Sequence, residues 1–248
     1  MSAHNYVAEI RKLIDRVEQS QMDNIRQAAE WLAESIARDR LIYLFGAGHS
    51  ALLTQEVFER AGGLLQMQPM LDPGLDFFAG ARRQGGFERL PGYAKIVIQD
   101  YDIQPDDVVI VISNSGRNPA PVEIALEAKL RNAKVIALTS LPHATSVSAN
   151  NPAGKRLHEV SDLVLDTGCP AGDALVELEG LPPRVAPGST VMGALILNAI
   201  VAQTAQNLLR KGKVPAVAFS GNLEAGREYN ERVLGPIWTE LGARMKHG

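Results

Sequence analysis

Through the first forty residues, apolar positions recur every three to four residues. Val7, Ile10, Leu13, Ile14 and Val17 share one face, and Ile25, Ala28, Ala29, Leu32 and Ile36 continue the spacing, which predicts helix. With no strand before it, this helical arm (about residues 1–38) can cover a sheet or pack on a second subunit. Leu41–Phe45 is a short apolar run that ends in glycine, the pattern of a strand. Ser50–Ala61 reads as helix stopped by Gly62 and Gly63, and Leu64–Met67 as a weaker strand. Residues 69–92, rich in glycine and proline, read as a long loop or short helices, and loops of that length in compact domains are either functional lids or mobile linkers. Val108–Ile112 is continuous and β-branched, as expected at the centre of a parallel sheet. Helix follows over Pro119–Arg131, strand over Lys134–Leu138 and Leu163–Leu165, and a long helix over Ser189–Arg210 with Gly212 as its stop signal. Its stretch Val191–Ala202 is apolar nearly all round, which argues for burial. The tail (about residues 213–248) is mixed, and its FSGNLEAGREYNERV segment is polar. The alternation of strand and helix predicts an α/β fold with a doubly wound, mainly parallel five-stranded sheet flanked by helices, a three-layer sandwich. The whole chain, 1–248, reads as a single domain.

Composition narrows the classes. The chain has 248 residues, is 46% hydrophobic and carries a formal charge of −3. Lysines and arginines are scattered and aromatics make up only 5%, so neither a basic nucleic-acid footprint nor a stacking platform is expected. The one cysteine, Cys169, excludes an intramolecular disulfide and a cysteine-based zinc cage. The first residues lack the apolar stretch of a signal peptide, and no apolar segment reaches the length of about 18 residues that spans a bilayer. The expectation is a soluble cytoplasmic protein without a nucleic-acid or membrane partner.

Two loops carry the chemistry. The first, in LIYLFGAGHSA, satisfies G-x-G-x-x-G/A through Gly46, Gly48 and Ala51. A dinucleotide site also needs an acid about 20 residues on, at the end of the second strand, for the ribose hydroxyls. Gln66 and Gln68 stand there and Asp72 comes late, which counts against NAD. The second loop, Ser113-Asn114-Ser115-Gly116-Arg117-Asn118, follows the clearest strand and precedes a helix whose first residue is Pro119. Asn118 is placed as its N-cap, proline at N1 costs nothing, and free N–H groups at the positive end of the helix dipole form an anion site. Ser113, Ser115 and Asn118 add short donors. A plain capped turn needs one polar residue, and this loop has four. There is no lysine as in a P-loop, so a triphosphate with Mg²⁺ is not expected. Both loops lie at the carboxyl edge of the sheet, where open α/β folds bind ligands.

GAGHS after the first strand, SNSGRNP after the central one and TSLPH after the next resemble the sugar isomerase (SIS) domain over about residues 35–210. Stand-alone SIS proteins of this length also share the AGG, NPAG and SGN stretches. The resemblance implies a flavodoxin-like sandwich that binds phosphosugars. It is specific for fold and phosphate, and not for a reaction, since isomerases, an etherase, deaminating isomerases and sugar-phosphate sensors share the domain. It implies that Gly48 and Ser50 contact sugar or phosphate in the first loop. It assigns Ser113, Asn114, Ser115, Gly116 and Asn118 to the phosphate cradle, with asparagine at 118 where threonine is more usual. APGSTVMG resembles the start of the family's last core helix, which puts Ser189 and Thr190 near the site. It also implies a homodimer or homotetramer. Sensors of the family carry a DNA-binding module, and residues 1–40 lack a basic helix-turn-helix, which weakens that alternative.

Aldose–ketose isomerisation needs a base between adjacent carbons and an acid for the oxygen proton. Glu56 lies about 9 Å along the helix begun at Ser50, although it can equally pair with Arg60 at i,i+4. His49 and His143 sit at the carboxyl edge, unlike the terminal His4 and His247, though a loop histidine can also be idle. Glu177 and Glu179 are candidates because the resemblance implies a glutamate beyond the fourth core strand. Asn198 within the apolar helix needs a partner if buried. His49, His143, His158 and Cys169 show no metal spacing, and no metal or cofactor is expected, while the use of zinc by some phosphoheptose isomerases of similar fold keeps that alternative open. The expectation is a phosphosugar isomerase, with a non-catalytic sensor, an etherase or a deaminase as alternatives and an NAD enzyme behind them.

Overall fold

A computed structural model describes residues 1–245 of the chain. The helical arm is two segments, α1 (Ser2–Ser20) and α2 (Met22–Ala37), broken at Gln21. The first loop links β1 (Ile42–Gly46) to α3 (His49–Glu56), and β2 (Met67–Pro69) follows. The glycine-rich segment holds the short helices α4 (Ala81–Glu88) and α5 (Tyr93–Val97). Next come β3 (Val108–Ile112), α6 (Pro119–Leu130), β4 (Lys134–Thr139), α7 (Leu141–Ser146), α8 (Leu157–Val160) and β5 (Leu163–Asp166). A hairpin, β6 (Ala174–Leu178) and β7 (Leu181–Pro187), leads into α9 (Ser189–Arg210), and α10 (Glu224–Leu241) is the last helix among the described residues.

The five main strands pair in the order β2-β1-β3-β4-β5, every pair parallel. Side chains alternate across this sheet. Ile42, Leu44, Ile110 and Leu138 join the core shared with α1, α2 and α9. Tyr43, Phe45, Val109 and Val111 join the opposite core, which holds α5, α6 and the end of α10. Because helices cover both faces, the strands are apolar without alternation, as a buried parallel sheet requires.

Both sheet edges are closed from within the chain, as unpaired strand edges demand. At β5, the arm supplies side chains: Gln21 Oε1 accepts from Asp166 N at 3.0 Å and Asn24 Nδ2 donates to Val164 O at 3.1 Å. At the other end Leu64 bridges Val217 antiparallel, and Leu65 N donates to Ala216 O at 2.9 Å.

Several boundaries differ from the sequence reading. The second strand is Met67–Pro69 rather than Leu64–Met67, because Leu64 and Leu65 are taken by that bridge to the tail. Helix α3 ends at Glu56 instead of Ala61, and Glu59 has left the helical region with φ +40°. The β6–β7 hairpin was not expected, since Pro182 and Pro183 argue against a strand, but an isolated two-stranded ribbon has outward edges that tolerate proline. α9 is long and apolar enough by composition to cross a membrane, contrary to the expectation that no segment is, yet half of that window is buried inside the fold. Asn198 is exposed and bonds only to its own helix, at Ala194 O.

Candidate functional site

The carboxyl edge of the sheet holds a cavity of about 480 Å³. Its walls are the β1–α3 loop, the β3–α6 loop, His143 of α7, the hairpin ends at Gly172–Ala174 and Pro187, the start of α9, and the α4 segment that arches over from the glycine-rich region.

The geometry of the first loop explains its glycines. A Cβ on Gly46 would lie 2.4 Å from the backbone of Ser50, so the strand packs directly on the helix start. Gly48 has φ +59° and ψ −126°, a conformation that only glycine adopts without strain, and its N–H donates to Leu75 O at 2.9 Å. These are requirements of a tight strand-to-helix turn, independent of a dinucleotide. Asp72, the late acid, is already occupied: its Oδ1 accepts from Gly74 N, Leu75 N and Tyr93 Oη at 2.8, 3.1 and 2.8 Å. Gln68 is fully buried on β2. α3 begins at His49 with Gly48 as N-cap, so Ser50 lies inside the first turn rather than capping it.

In the second loop Ser113, Asn114 and Ser115 line the cavity. Ser113 Oγ accepts from Gly116 N at 3.2 Å, and Asn114 O accepts from Ser140 N and Thr139 Oγ1, both at 3.1 Å. The backbone N–H groups of Asn114 and Ser115 have no acceptor among the described residues. Gly116 has φ +59° and sits beneath Leu157, where an added Cβ would meet the Leu157 Cβ at 3.0 Å. Gly116 and Asn118 do not line the cavity. Asn118 is the N-cap of α6 by position, but its side chain makes no capping bond. It donates through Nδ2 to Glu88 Oε1 at 2.8 Å. The first turn of α6 is also a weaker anion site than the sequence reading implied. Pro119 and Pro121 have no N–H, so Ala120 is the sole free donor of that turn. The free amides on this side of the cavity are therefore those of Asn114 and Ser115 in the loop itself.

His143 and His49 both line the cavity. Ser140 caps α7, its Oγ accepting from His143 N at 3.1 Å. Asn114 Nδ2 lies 3.3 Å from His143 Nδ1. With the amide donating, the neutral ring carries its proton on Nε2. His49 is exposed and its ring meets Phe77 edge to face at 4.7 Å. Ser189 and Thr190 also reach the cavity. Asp173 holds the start of α9, its carboxylate accepting from Ser189 N at 2.8 Å and Ser189 Oγ at 2.5 Å.

Three glutamates named from sequence, Glu56, Glu177 and Glu179, do not line the cavity. Glu56 ends α3 on the surface and pairs with Arg60, the i,i+4 alternative. Glu177 lies on the hairpin, largely exposed and paired with Arg184, and Glu179 is exposed in the hairpin turn. The loose spacing after the fourth strand did not reveal that these residues form a ribbon. Conversely, Phe77, Gln84, Glu88 and Asp173 line the cavity without having been named. For Phe77, Gln84 and Glu88 the visible signal was the length of the 69–92 segment, which left lid and linker equally open; nothing in the sequence singled out Asp173.

Among the described residues no three histidine, cysteine or acidic side chains come together as metal ligands. With no third ligand beside them among the described residues, His49 and His143 do not fit a zinc site. Burial pushes the Cys169 thiol up to about 11. No lysine or arginine lines the cavity, so an anion there must be held by neutral donors and helix ends.

The chain matches the family description of the SIS domain over residues 5–140. The chain belongs to the SIS domain family. A UPF0309 protein of Listeria monocytogenes is 38% identical over 231 residues, covering 93% of this chain and 94% of the relative. A UPF0309 protein of Halalkalibacterium halodurans is 40% identical over 230 residues, covering 93% and 92%. Among solved structures, the phosphoheptose isomerase of Neisseria gonorrhoeae shares the fold at 20% identity and a TM-score of 0.55, covering 82% of this chain and 96% of its own. That of Francisella tularensis does so at 16% identity and 0.54, with the same coverage.

Proposed function

We propose that this SIS protein binds a sugar phosphate and interconverts its aldose and ketose forms. The observation that carries the reading is the Ser113–Ser115 wall of the cavity, with its hydroxyls and the unengaged backbone N–H groups of Asn114 and Ser115 at the carboxyl edge of a parallel sheet. A phosphate seated there meets short neutral donors, and the cavity volume of about 480 Å³ falls within the range of small-molecule sites. Gly48, Ser50, Ser189 and Thr190 then face the sugar. His143 is the proton donor to the carbonyl oxygen through Nε2, and His49 a second proton carrier at the mouth. The SIS family and the phosphoheptose isomerase fold support a phosphosugar over a dinucleotide, as do the occupied Asp72 and buried Gln68.

We further take the chain to be a cytoplasmic homodimer comprising a single domain per subunit. In support of the dimer, the outer side of α9 leaves Val191 42% and Leu209 56% exposed, alongside the polar Asn198 and Gln206.

Thermal denaturation against hexose, pentose, heptose and amino-sugar phosphates, with NAD(H) included, tests the reading. Ligand binding to the native state raises the melting temperature as RT ln(1 + [L]/Kd). A shift with a sugar phosphate that Ser115→Ala abolishes is expected. A shift with NAD alone contradicts it, and binding without turnover of any sugar phosphate leaves a sensor.

A further inference from the structure

We infer that Glu88, at the end of α4, is the catalytic base of this site; the inference rests on the phosphosugar isomerase reading above. The cavity has two carboxylates in its walls, Glu88 and Asp173. Asp173 is consumed by α9: Oδ1 takes Ser189 N at 2.8 Å and Gly188 N at 3.3 Å, and Oδ2 takes Ser189 Oγ at 2.5 Å. Glu88 is held differently. One oxygen accepts from Asn118 Nδ2 at 2.8 Å and the other from Gln84 Nε2 at 3.1 Å. Both donors are neutral amides, and no ion pair holds Glu88 among the described residues. A carboxylate has about four lone-pair sites, and two remain for substrate.

The tether matters as much as the group. Asn118 ends the serine loop, so the base is fixed relative to that loop through one side chain. A sugar anchored by its phosphate would then present its carbons at a set distance from the carboxylate, the positional requirement of proton transfer. The segment is anchored at its far end as well, where Gly92 N donates to Glu123 Oε1 at 2.8 Å. In the step, a Glu88 oxygen takes the proton from the carbon beside the carbonyl, and the C–H electron pair forms the double bond of an enediol. The carbonyl oxygen takes the proton from His143 Nε2. Protonated Glu88 then returns its proton to the former carbonyl carbon, while the neighbouring hydroxyl proton goes back to His143.

The test uses the full chain in D2O with arabinose 5-phosphate, glucose 6-phosphate and sedoheptulose 7-phosphate, following deuterium wash-in by NMR and binding by thermal shift. General-base catalysis is worth about 10²–10⁴-fold. Glu88→Gln, which keeps the bonds to Asn118 or Gln84, is expected to slow exchange by at least about a hundredfold while leaving the sugar-phosphate shift intact. Asn118→Asp is expected to move the acid limb of the exchange profile to higher pH, because a like charge beside Glu88 raises its pKa. Exchange by Glu88→Gln within threefold of wild type overturns the inference and spares the isomerase reading. Loss of binding together with exchange in Glu88→Gln also overturns it, by making Glu88 a binding residue. Wild-type binding without exchange of any of the three sugars removes both.

Discussion

Single residues at the carboxyl edge are set by backbone geometry more than by polarity. Gly116, at φ +59° with Leu157 3.0 Å from its missing Cβ, lets the serine loop turn under α8. Gly116→Ala is expected to destabilise the protein by about 1–3 kcal/mol, since left-handed strain and overpacking add; a denaturant midpoint within error of wild type would contradict that. Cys169 is fully buried, with its thiol pushed up to about 11. It is expected to resist alkylation at pH 8 in the native state and react fully in denaturant, as read by mass spectrometry. The serines and histidines that line the cavity were legible in the sequence as sheet-edge residues, because small polar residues after an apolar strand lie at the sheet edge whatever follows. Glu88 was not, since its placement depends on how the 69–92 segment folds back over β3.

Among the elements, the parallel strands and long helices could be read directly from apolar runs and 3.6-residue spacing. The hairpin could not, because Pro182 and Pro183 mask a strand that has no inner neighbour. α6 shows the limit of a motif: the SNSG loop was read correctly as turning into a helix, but the PAP sequence removes two of the donors that a helix start normally offers. α8 is small yet braces the loop, with Leu157 N donating to Gly116 O at 2.8 Å. Glu159 stabilises it by accepting from Arg156 N at 2.6 Å and Arg156 Nη2 at 3.0 Å. The Arg156 side chain, and then its backbone N–H, holds the Glu159 carboxyl at about 2, below its ordinary 4.5. A depressed carboxylate contributes stability that is complete above its unfolded pKa and disappears as pH falls through the folded one. The melting-temperature gap between wild type and Glu159→Gln is therefore expected to stay constant near neutral pH and to close between about 4.5 and 2. A gap that widens on acidification would contradict the assignment.

At the scale of the whole molecule, the two ends of the chain finish the sheet. The arm caps the β5 edge through Gln21 and Asn24, and the tail covers the β2 side through residues 216–218. Arg244 adds a tie, donating to the fully buried Asp107 Oδ2 at 2.6 Å. Removing it leaves a buried carboxylate without its countercharge, so Arg244→Ala is expected to cost about 3 kcal/mol; calorimetry showing no loss would mean that the tail is not anchored there. The fold class and the five parallel strands were accessible from the sequence because the central strands β1, β3 and β4 are apolar on both faces. The closure of the edges was not, since it is made by side-chain amides and a single bridge that no periodicity announces. The exposed stripe of α9 carries the dimer proposal. Leu209→Glu is expected to give a monomer by light scattering where wild type gives a dimer, and a wild-type monomer would sink the proposal.

The central claim is that the serine loop after β3 holds a phosphate. Amide NMR of the ¹⁵N-labelled protein, titrated with inorganic phosphate and then with a sugar phosphate that raises its melting temperature, tests it most directly. The account predicts that the largest shifts fall on Asn114 and Ser115 with both ligands, and that Gly48 and Ser50 respond only to the sugar. Shifts centred on Gly46–Ser50 with the serine loop silent would contradict it.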